Sequence, residues 1–312
     1  MSDPRSWNPW HGCRKYSEGC EHCYVYFLDD MREVAQSSRE LRRTGNFDLP
    51  LRRGRDGMYK VPAGFDLSVN MTSDTFIEEA DAWRDEMWEI VRIRSDVSFN
   101  LLTKRVPRIA ECLPEDWGDG YDNVILNITC ENQRAFDERW PIFRDIPAKH
   151  KGLNLAPLLG PIDVSPALES GQIEYVATCG ESFGGERPCR YEWLKEISDA
   201  CGRYGVNLAI GPVGSLFIRD GKVYRPRTME EQTDLAFSLR LSRFYRIPRI
   251  DLYDPIDGHL LNGSEKVEPM YNADKCIRCT RMEMCRGCVD CGSCRDVRLV
   301  SWDEMVEMRS RK

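Results

Sequence analysis

The feature that most constrains this chain is its 14 cysteines, because most of them are concentrated near its two ends. Three lie close together near the start, at Cys13, Cys20 and Cys23. Six more lie near the end, at Cys276, Cys279, Cys285, Cys288, Cys291 and Cys294. The opening residues lack the basic and then apolar pattern of an export signal, so we expect a cytoplasmic protein with reduced thiols. Dense cysteines in a reduced protein indicate metal or iron–sulfur ligation rather than disulfides.

The composition is that of an ordinary globular protein, with 312 residues, 41% hydrophobic residues and 30% charged residues. A formal net charge of −7 argues against broad, nonspecific binding to nucleic acid. No apolar run approaches the roughly 18 residues that a membrane span needs, so we expect no membrane partner.

Short apolar runs alternate with amphipathic stretches along the first two thirds of the chain. Strands are predicted at 65–70, 97–102, 123–128, 152–155, 174–177 and 206–210, with another within 5–10. Helices are predicted at 76–94, 192–204 and 229–249. A strand–helix alternation favours parallel pairing through right-handed crossovers. The predicted fold is therefore α/β, a partial or full (β/α) barrel with a small cysteine-rich C-terminal module.

We divide the chain into three parts on this basis. Residues 1–228 form the barrel with an Arg-rich insertion at 31–64, 229–270 form a helix and linker, and 271–312 form the cysteine-rich module. Charge runs such as the insertion are usually solvated, although its arginines also suit phosphate groups.

Polar residues follow four of the predicted strands directly. These clusters are Thr72-Ser73-Asp74, Thr103-Lys104-Arg105, Cys130-Glu131-Asn132 and Cys179-Gly180-Glu181-Ser182. In a barrel they would converge on one mouth, where such enzymes keep their sites. The alternative is that loops after strands are polar because they face water.

The early cysteines are compatible with two kinds of metal site. Three thiolates can hold three irons of a [4Fe–4S] cluster, which leaves the fourth iron open to the amino and carboxylate groups of S-adenosylmethionine. Alternatively, the three cysteines bind zinc, with His11 or His22 as the fourth ligand. The spacing alone leaves both interpretations open.

Seven stretches in the same order resemble the phage-type three-cysteine-motif family, a radical-SAM-like family of unassigned activity. They are WNPWHGC (7–13), SEGCEHCY (17–24), NMTSDTF (70–76), LLTKRVPR (101–108), NVILNITCENQ (123–133), APLLGPID (156–163) and CGESFGGERP (179–188). The resemblance implies a barrel of the radical-SAM type, a [4Fe–4S] cluster on Cys13, Cys20 and Cys23, and a reductant such as flavodoxin or ferredoxin. The cofactor-binding residues it implies are Tyr24, Thr72, Ser73, Asp74, Lys104, Arg105, Glu131, Asn132, Glu181 and Arg187.

Two of these residues suit the charged groups of S-adenosylmethionine. A carboxylate such as Glu181 suits its amino group, and a cation such as Arg105 suits its carboxylate.

The six C-terminal cysteines predict a second metal site. The run Cys285, Cys288 and Cys291 has the spacing of a ferredoxin-type [4Fe–4S] site, and zinc would also satisfy these thiolates. The five other cysteines carry less information. Cys130 and Cys179 follow strands and suit the mouth, Cys112 and Cys201 suit the core, and Cys189 suits either place.

The sequence therefore predicts an iron–sulfur enzyme that reductively cleaves S-adenosylmethionine and starts radical chemistry. The expected substrate is a nucleic acid, a nucleotide or a modified base. Two alternatives remain, a zinc-stabilised nucleic-acid-binding protein without catalysis and an iron–sulfur electron-transfer protein that does not use S-adenosylmethionine.

Overall fold

The computed structural model of the protein describes residues 6–31, 38–182, 187–245, 250–271, 297–304 and 307. The strands are β1 (Ser6–Trp7), β2 (Trp10–His11), β3 (Arg42–Arg43), β4 (Asp66–Val69), β5 (Ser98–Thr103), β6 (Val124–Thr129), β7 (His150–Leu155), β8 (Ile173–Thr178), β9 (Cys189–Arg190), β10 (Asn207–Ile210), β11 (Phe217–Arg219), β12 (Lys222–Tyr224), β13 (Val267–Tyr271) and β14 (Val297–Ser301). The α-helices are α1 (Tyr24–Met31), α2 (Asp81–Ile93), α3 (Ile109–Cys112), α4 (Gln133–Asp145), α5 (Ser165–Glu169), α6 (Tyr191–Tyr204) and α7 (Met229–Ser238). Short 3₁₀ turns span Glu18–Cys20, Leu49–Leu51, Glu78–Ala80 and Val106–Arg108.

Seven strands form one sheet in the order β1-β4-β5-β6-β7-β8-β10, and every neighbouring pair is parallel. The strands of this sheet therefore lie side by side in the same order in which they occur along the chain. With the usual right-handed crossovers, the connecting helices all lie on the same face of such a sheet. The predicted α/β class with parallel pairing is confirmed.

The two faces of this sheet differ in polarity because side chains alternate along each strand. One face is apolar and buried, with residues such as Leu101 on β5, Leu126 on β6 and Leu153 on β7. This face belongs to one hydrophobic core with the apolar sides of α2, α4 and α6, which contribute Trp88, Phe136, Trp140, Leu194 and Ile197. The opposite face is mostly polar.

Local signals explain where several elements begin and end. Asn132 caps α4, and its side chain accepts a hydrogen bond from the Ala135 backbone N–H at 3.0 Å. α6 ends at Gly205, which has a φ of 65° that glycine adopts readily. Thr228 and Glu231 form a capping box at the start of α7.

Most predicted elements lie within two residues of the observed ones, but three differ. The helix predicted at 76–94 begins only at Asp81, after a 3₁₀ turn. The helix predicted at 229–249 ends at Ser238, because Arg240 has a φ of 54° and Arg243 then pairs with Leu208 of β10. The strand predicted within 5–10 is divided, and its second part pairs with β3 rather than with the large sheet.

The cysteine-rich C-terminal segment is flanked by β13 and β14, which pair with each other in antiparallel fashion. Val267 at the start of β13 donates its backbone N–H to Ala63 at 2.8 Å, just before β4 begins. The six cysteines predicted to bind metal there, 276–294, lie outside the described residues. Among the helices that the structure describes, none is long and apolar enough to cross a membrane.

Candidate functional site

The three early cysteines lie in a segment, residues 11–24, that we call the cysteine loop. It contacts the chain just after β4, at the carboxyl end of the sheet. Gly12 donates its N–H to the Thr72 carbonyl at 3.2 Å, and the Ser73 hydroxyl donates to the Gly12 carbonyl. The Tyr24 hydroxyl donates to the carbonyl of Met71. These bonds hold the cysteine loop where the sequence predicts the mouth of the site.

The thiols of Cys13, Cys20 and Cys23 are free and half-buried. Burial raises the pKa of Cys13 to about 12, and the charges of Asp74 and of the two other cysteines act in the same direction. Burial also raises the pKa of Cys23, and Cys20 adds to this shift. Without a cation the Cys13 and Cys23 thiols therefore stay protonated, whereas a bound metal requires thiolate ligands and displaces the protons.

The spacing that the sulfur atoms need differs between the two kinds of metal site. Tetrahedral zinc with Zn–S bonds of about 2.3 Å holds its sulfur atoms roughly 4 Å apart, whereas the ligands of a [4Fe–4S] cluster bind different irons and are spaced more widely. Within the described ranges, the group of metal-type ligand atoms that all lie within 4.8 Å of one another is Asp254, Asp257 and His259. The early thiols, with or without His11 or His22, are therefore not arranged as a preformed zinc site among the described residues.

The two histidines considered as a fourth zinc ligand have other partners. His11 Nε2 lies 2.7 Å from Asp29 Oδ2, and both side chains are largely buried. His22 Nδ1 lies 3.2 Å from Glu181 Oε2. Both histidines therefore help to hold the cysteine loop.

Arg105 is a buried arginine that ties the ends of β4 and β5 to the cysteine loop. Its guanidinium lies 3.3 Å from Asp74 and 3.3 Å from Glu78, and it donates to the Arg14 carbonyl at 3.0 Å. Asp74 also accepts from the Thr103 hydroxyl at 2.7 Å. These contacts occupy the hydrogen-bond donors of Arg105. The residue therefore positions the cysteine loop.

Glu131, after β6, is fully buried beneath the cysteine loop. Arg139 donates to it at 2.9 Å. Burial by itself would raise the pKa of Glu131, but the hydrogen bond from Arg139 and the charges of Arg139 and Lys104 outweigh it and lower the pKa. A Cβ placed on Gly19 would lie 3.1 Å from the Glu131 side chain, so the loop packs closely on this carboxylate.

Lys104 brings a half-buried ammonium group to the same place. Its charge lowers the pKa of both Cys23 and Glu131. In the part of the chain that the structure describes, its ammonium forms no ion pair or hydrogen bond. Lys104 is therefore a cation available to a ligand.

Glu181, after β8, is buried and joined to the cysteine loop through Arg187. Arg187 Nε donates to Glu181 Oε2 at 3.0 Å, and its Nη1 donates to the Glu18 carbonyl at 3.0 Å. The amide of Asn132, after β6, donates to the Glu18 carboxylate. Three strand ends are thus connected to the cysteine loop by side chains.

Several buried polar groups that have no hydrogen-bond partner among the described residues lie at this end of the sheet. They are both amide atoms of Asn70 and the hydroxyls of Thr72, Thr75 and Thr129. Asn70 is 2% exposed. Leaving such groups unpaired costs free energy, so a concentration of them indicates a place built for a ligand or for bound water.

All ten residues predicted to line the site contact or adjoin the cysteine loop, although their cofactor-binding roles remain predictions. The arginines of the insertion do not gather there: Arg43 pairs with Glu86, Arg52 pairs with Asp48 at 2.7 Å, and Arg53 donates to the Gly57 carbonyl at 2.7 Å. Four of the scattered cysteines are buried, at Cys112, Cys130, Cys189 and Cys201, and Cys179 is half-buried.

Sequence reasoning missed the polar face of the sheet. The sequence pattern that indicates this face is an asparagine inside each of three successive apolar strands, at Asn100, Asn127 and Asn154.

Comparison with known proteins corrects the predicted family. A family described as "Protein of unknown function (DUF5131)" matches residues 3–235, about three quarters of the chain. No curated protein and no solved structure matches. The predicted membership of a radical-SAM-like family is wrong, because the matching family is one of unknown function. The early cysteines also lack the CxxxCxxC spacing, since six residues separate Cys13 from Cys20.

Proposed function

We propose that this chain, which belongs to the DUF5131 family of unknown function, is an iron–sulfur enzyme that binds a [4Fe–4S] cluster on Cys13, Cys20 and Cys23 and cleaves S-adenosylmethionine reductively. The observation that carries the proposal is that one short loop brings three free thiols to the carboxyl end of a parallel sheet, close enough together that Cys20 and Cys23 both raise the pKa of Cys13. The unpartnered buried groups of Asn70, Thr72 and Thr129 at this end support the presence of a ligand.

We also infer that the sheet curves into a partial barrel around the cysteine loop. Tyr24 reaches the end of β4 and His22 reaches the end of β8, although they are two residues apart. In a flat sheet these strands, four positions apart, would be separated by roughly 19 Å, since neighbouring strands are about 4.8 Å apart. A curved sheet brings both ends within easy reach of one short loop.

A cluster held by Cys13, Cys20 and Cys23 would supply one-electron reductive cleavage of S-adenosylmethionine, with the electron coming from a reductant such as flavodoxin or ferredoxin, and would thereby start radical chemistry on a substrate.

The protein's own residues would bind and orient S-adenosylmethionine. Three cysteines leave one of four irons without a protein ligand, and this is where the amino and carboxylate groups of S-adenosylmethionine would bind. We assign the carboxylate to Lys104 rather than to Arg105, because the donors of Arg105 are occupied by Asp74, Glu78 and the Arg14 carbonyl. Glu181 remains the proposed partner of the amino group, and Arg187 fixes its carboxylate in place.

Anaerobic reconstitution with iron and sulfide, followed by assay for 5′-deoxyadenosine with dithionite as reductant, tests the proposal. The wild-type protein should form 5′-deoxyadenosine. Cys13→Ser, Cys20→Ser and Cys23→Ser should each abolish its formation, and Cys201→Ser, at a buried cysteine of α6, should retain it.

Two outcomes would overturn the proposal. One is stoichiometric zinc that is lost in the three early cysteine variants, which would indicate a zinc-stabilised protein. The other is a cluster that takes up electrons without cleaving S-adenosylmethionine, which would indicate an electron-transfer protein.

A further inference from the structure

The face of the sheet opposite the helices carries uncharged polar side chains in its middle layer. Ser68 on β4 is paired in register with Asn100 on β5. Asn127 on β6 is paired with Gly152 on β7, which is paired with Tyr175 on β8. Asn100 is itself paired with Ile125, two residues before Asn127, so the row of polar residues steps by two positions between β5 and β6. Since paired residues of neighbouring strands, and residues two apart on one strand, point to the same face, these side chains form one polar layer.

Asn100, Asn127 and Tyr175 form a hydrogen-bonded triad across this layer. Asn127 Nδ2 donates to Asn100 Oδ1 at 2.5 Å, and Asn100 Nδ2 donates to the Tyr175 hydroxyl at 3.3 Å. The Tyr175 hydroxyl donates to Asn127 Oδ1. The triad therefore joins β5, β6 and β8. The strand β7, which lies between β6 and β8, contributes no side chain to it.

Gly152 on that intervening strand makes the triad possible. A Cβ at this position would lie 2.7 Å from the Tyr175 ring, closer than real Cβ contacts. The Tyr175 ring therefore packs closely on Gly152. Tyr175 is half-buried, so part of the residue remains accessible.

The groups beside this ring can bind a ligand. Asn100 and Asn154 are half-buried, and the Asn154 amide makes no hydrogen bond within the described residues. Amide groups pair with the donors and acceptors on the edge of a nucleobase, and aromatic rings stack on its face. The absence of charge among Ser68, Asn100, Asn127 and Tyr175 favours a neutral ligand over a phosphate or a carboxylate.

We infer that this polar face binds the substrate and that the substrate group it takes is a neutral nucleobase, stacked near Tyr175 and held by the amides of Asn100 and Asn154. The inference rests on the proposed function for the chemistry that follows binding. Asn127 lies two residues before the carboxyl end of β6 and Asn100 three residues before that of β5, which places them roughly 7 to 10 Å below the end of the sheet that the cysteine loop contacts. A base bound there would be open to a cofactor held above it.

Equilibrium dialysis with adenosine, guanosine, cytidine, uridine and thymidine tests the inference on the reconstituted full-length protein. Saturating S-adenosylmethionine is present throughout, so that its own binding site does not take up the nucleoside. At least one nucleoside should bind with a dissociation constant of about 1 mM or lower, and ribose should not bind.

Asn154→Ala removes an amide proposed to hold the base and should weaken that binding about 3- to 10-fold, corresponding to one hydrogen bond. Asn262→Ala is the matched control, because Asn262 is exposed and its side chain bonds Ser264, and it should bind as the wild type does. Circular dichroism confirms that each variant is folded.

Absence of saturable binding by every nucleoside, or equal binding by the Asn154→Ala and Asn262→Ala proteins, would overturn the inference. The test does not depend on turnover. Nucleoside binding without formation of 5′-deoxyadenosine would contradict only the proposed function, whereas its formation without nucleoside binding would contradict only the inference.

Discussion

Arg187 binds the buried Glu181 carboxylate through Nε at 3.0 Å, and the same guanidinium donates to the Glu18 carbonyl at 3.0 Å. One side chain thus connects the end of β8 to the cysteine loop between Cys13 and Cys20. The geometry of the thiols therefore depends on an ion pair whose members are distant from the cysteines in sequence. Glu181 is 3% exposed in its side chain, so its charge is stabilised mainly by this partner and by His22.

Replacing Arg187 with alanine should loosen the cysteine loop and leave the Glu181 carboxylate with His22 as its remaining ionisable partner. We expect the free energy of unfolding to fall by about 1 to 3 kcal/mol, less than for a fully buried pair because Arg187 is 25% exposed. The iron content after reconstitution should fall as well. Urea denaturation and iron analysis measure the two effects.

Arg203→Ala is the matched control, because Arg203 is an exposed arginine near the end of α6. It should match the wild type in both measurements. Equal iron content in the Arg187→Ala and Arg203→Ala proteins would show that Arg187 does not position the cysteine loop.

Replacing all six C-terminal cysteines with serine should remove one set of metal ions and leave the early site loaded. β13, which precedes the C-terminal cysteines in sequence, is fixed near Ala63, before β4, whereas the cysteine loop contacts the chain after β4, so these two contacts lie at opposite ends of β4. Elemental analysis of the reconstituted variant should still find about four irons per chain, as one [4Fe–4S] cluster requires. Loss of all metal would show that the early cysteines do not bind a cluster by themselves.

The fold was largely predictable because it depends on patterns that are local in sequence. The apolar runs around Phe99, Leu126 and Leu153 mark strands buried on the helix side, and alternation with amphipathic stretches implies parallel pairing. The end of α7 was not predictable in this way. It depends on Arg240, whose positive φ is fixed by the pairing of the following segment with β10, a contact between distant parts of the chain.

The hairpin of β11 and β12 shows a signal that was available in the sequence. Asp220-Gly221 lies between the two strands, and both residues have a positive φ, 51° and 72°. Asp-Gly is a common two-residue turn of this kind.

The location of the candidate site could be predicted from the sequence. The hydrogen bonds and ion pairs between its residues could not. Polar residues after parallel strands meet at one edge of the sheet, so Thr72, Arg105, Glu131 and Glu181 could be grouped from the sequence. Their partners depend on three-dimensional contacts. The sequence suggested Arg105 as a ligand for S-adenosylmethionine, yet its donors are taken by Asp74, Glu78 and a backbone carbonyl.

Arg94 is fully buried and links the insertion to the amino end of the sheet. It donates to Asp96 at 2.7 and 2.9 Å and to the Val61 carbonyl at 2.7 Å, and it also bonds the Pro50 carbonyl. Arg94→Met should lower the free energy of unfolding by about 3 to 5 kcal/mol, because it leaves the Asp96 carboxylate buried without its partner. Urea denaturation measures the loss.

The double variant Arg94→Met/Asp96→Leu is the control for this explanation. Removing both charges avoids the unpaired carboxylate, so the double variant should be more stable than Arg94→Met alone. If it is less stable, the backbone contacts of Arg94 rather than the ion pair account for the loss.

Lys151 should make stability depend on pH in the alkaline range. Lys151 is only 3% exposed. Its ammonium donates to the carbonyls of Phe143 and Arg144 and to the side-chain oxygen of Gln172 at 2.7 to 3.1 Å. Burial lowers the pKa of Lys151 from its ordinary 10.5 to about 8. Between these two values the unfolded chain binds more protons than the folded one, so the free energy of unfolding should rise with pH.

The rise from this group should be at most about 3 kcal/mol across that window, and it should be absent below pH 8, where Lys151 is protonated in both states. Urea denaturation between pH 7 and pH 10 should therefore give a steeper pH dependence for the wild type than for Lys151→Met. Lys149→Met provides the comparison, because Lys149 is exposed and pairs with Asp122 at 2.7 Å, and it should keep the wild-type slope. Parallel curves for the wild type and Lys151→Met would mean that the three oxygen acceptors compensate for the burial of the ammonium.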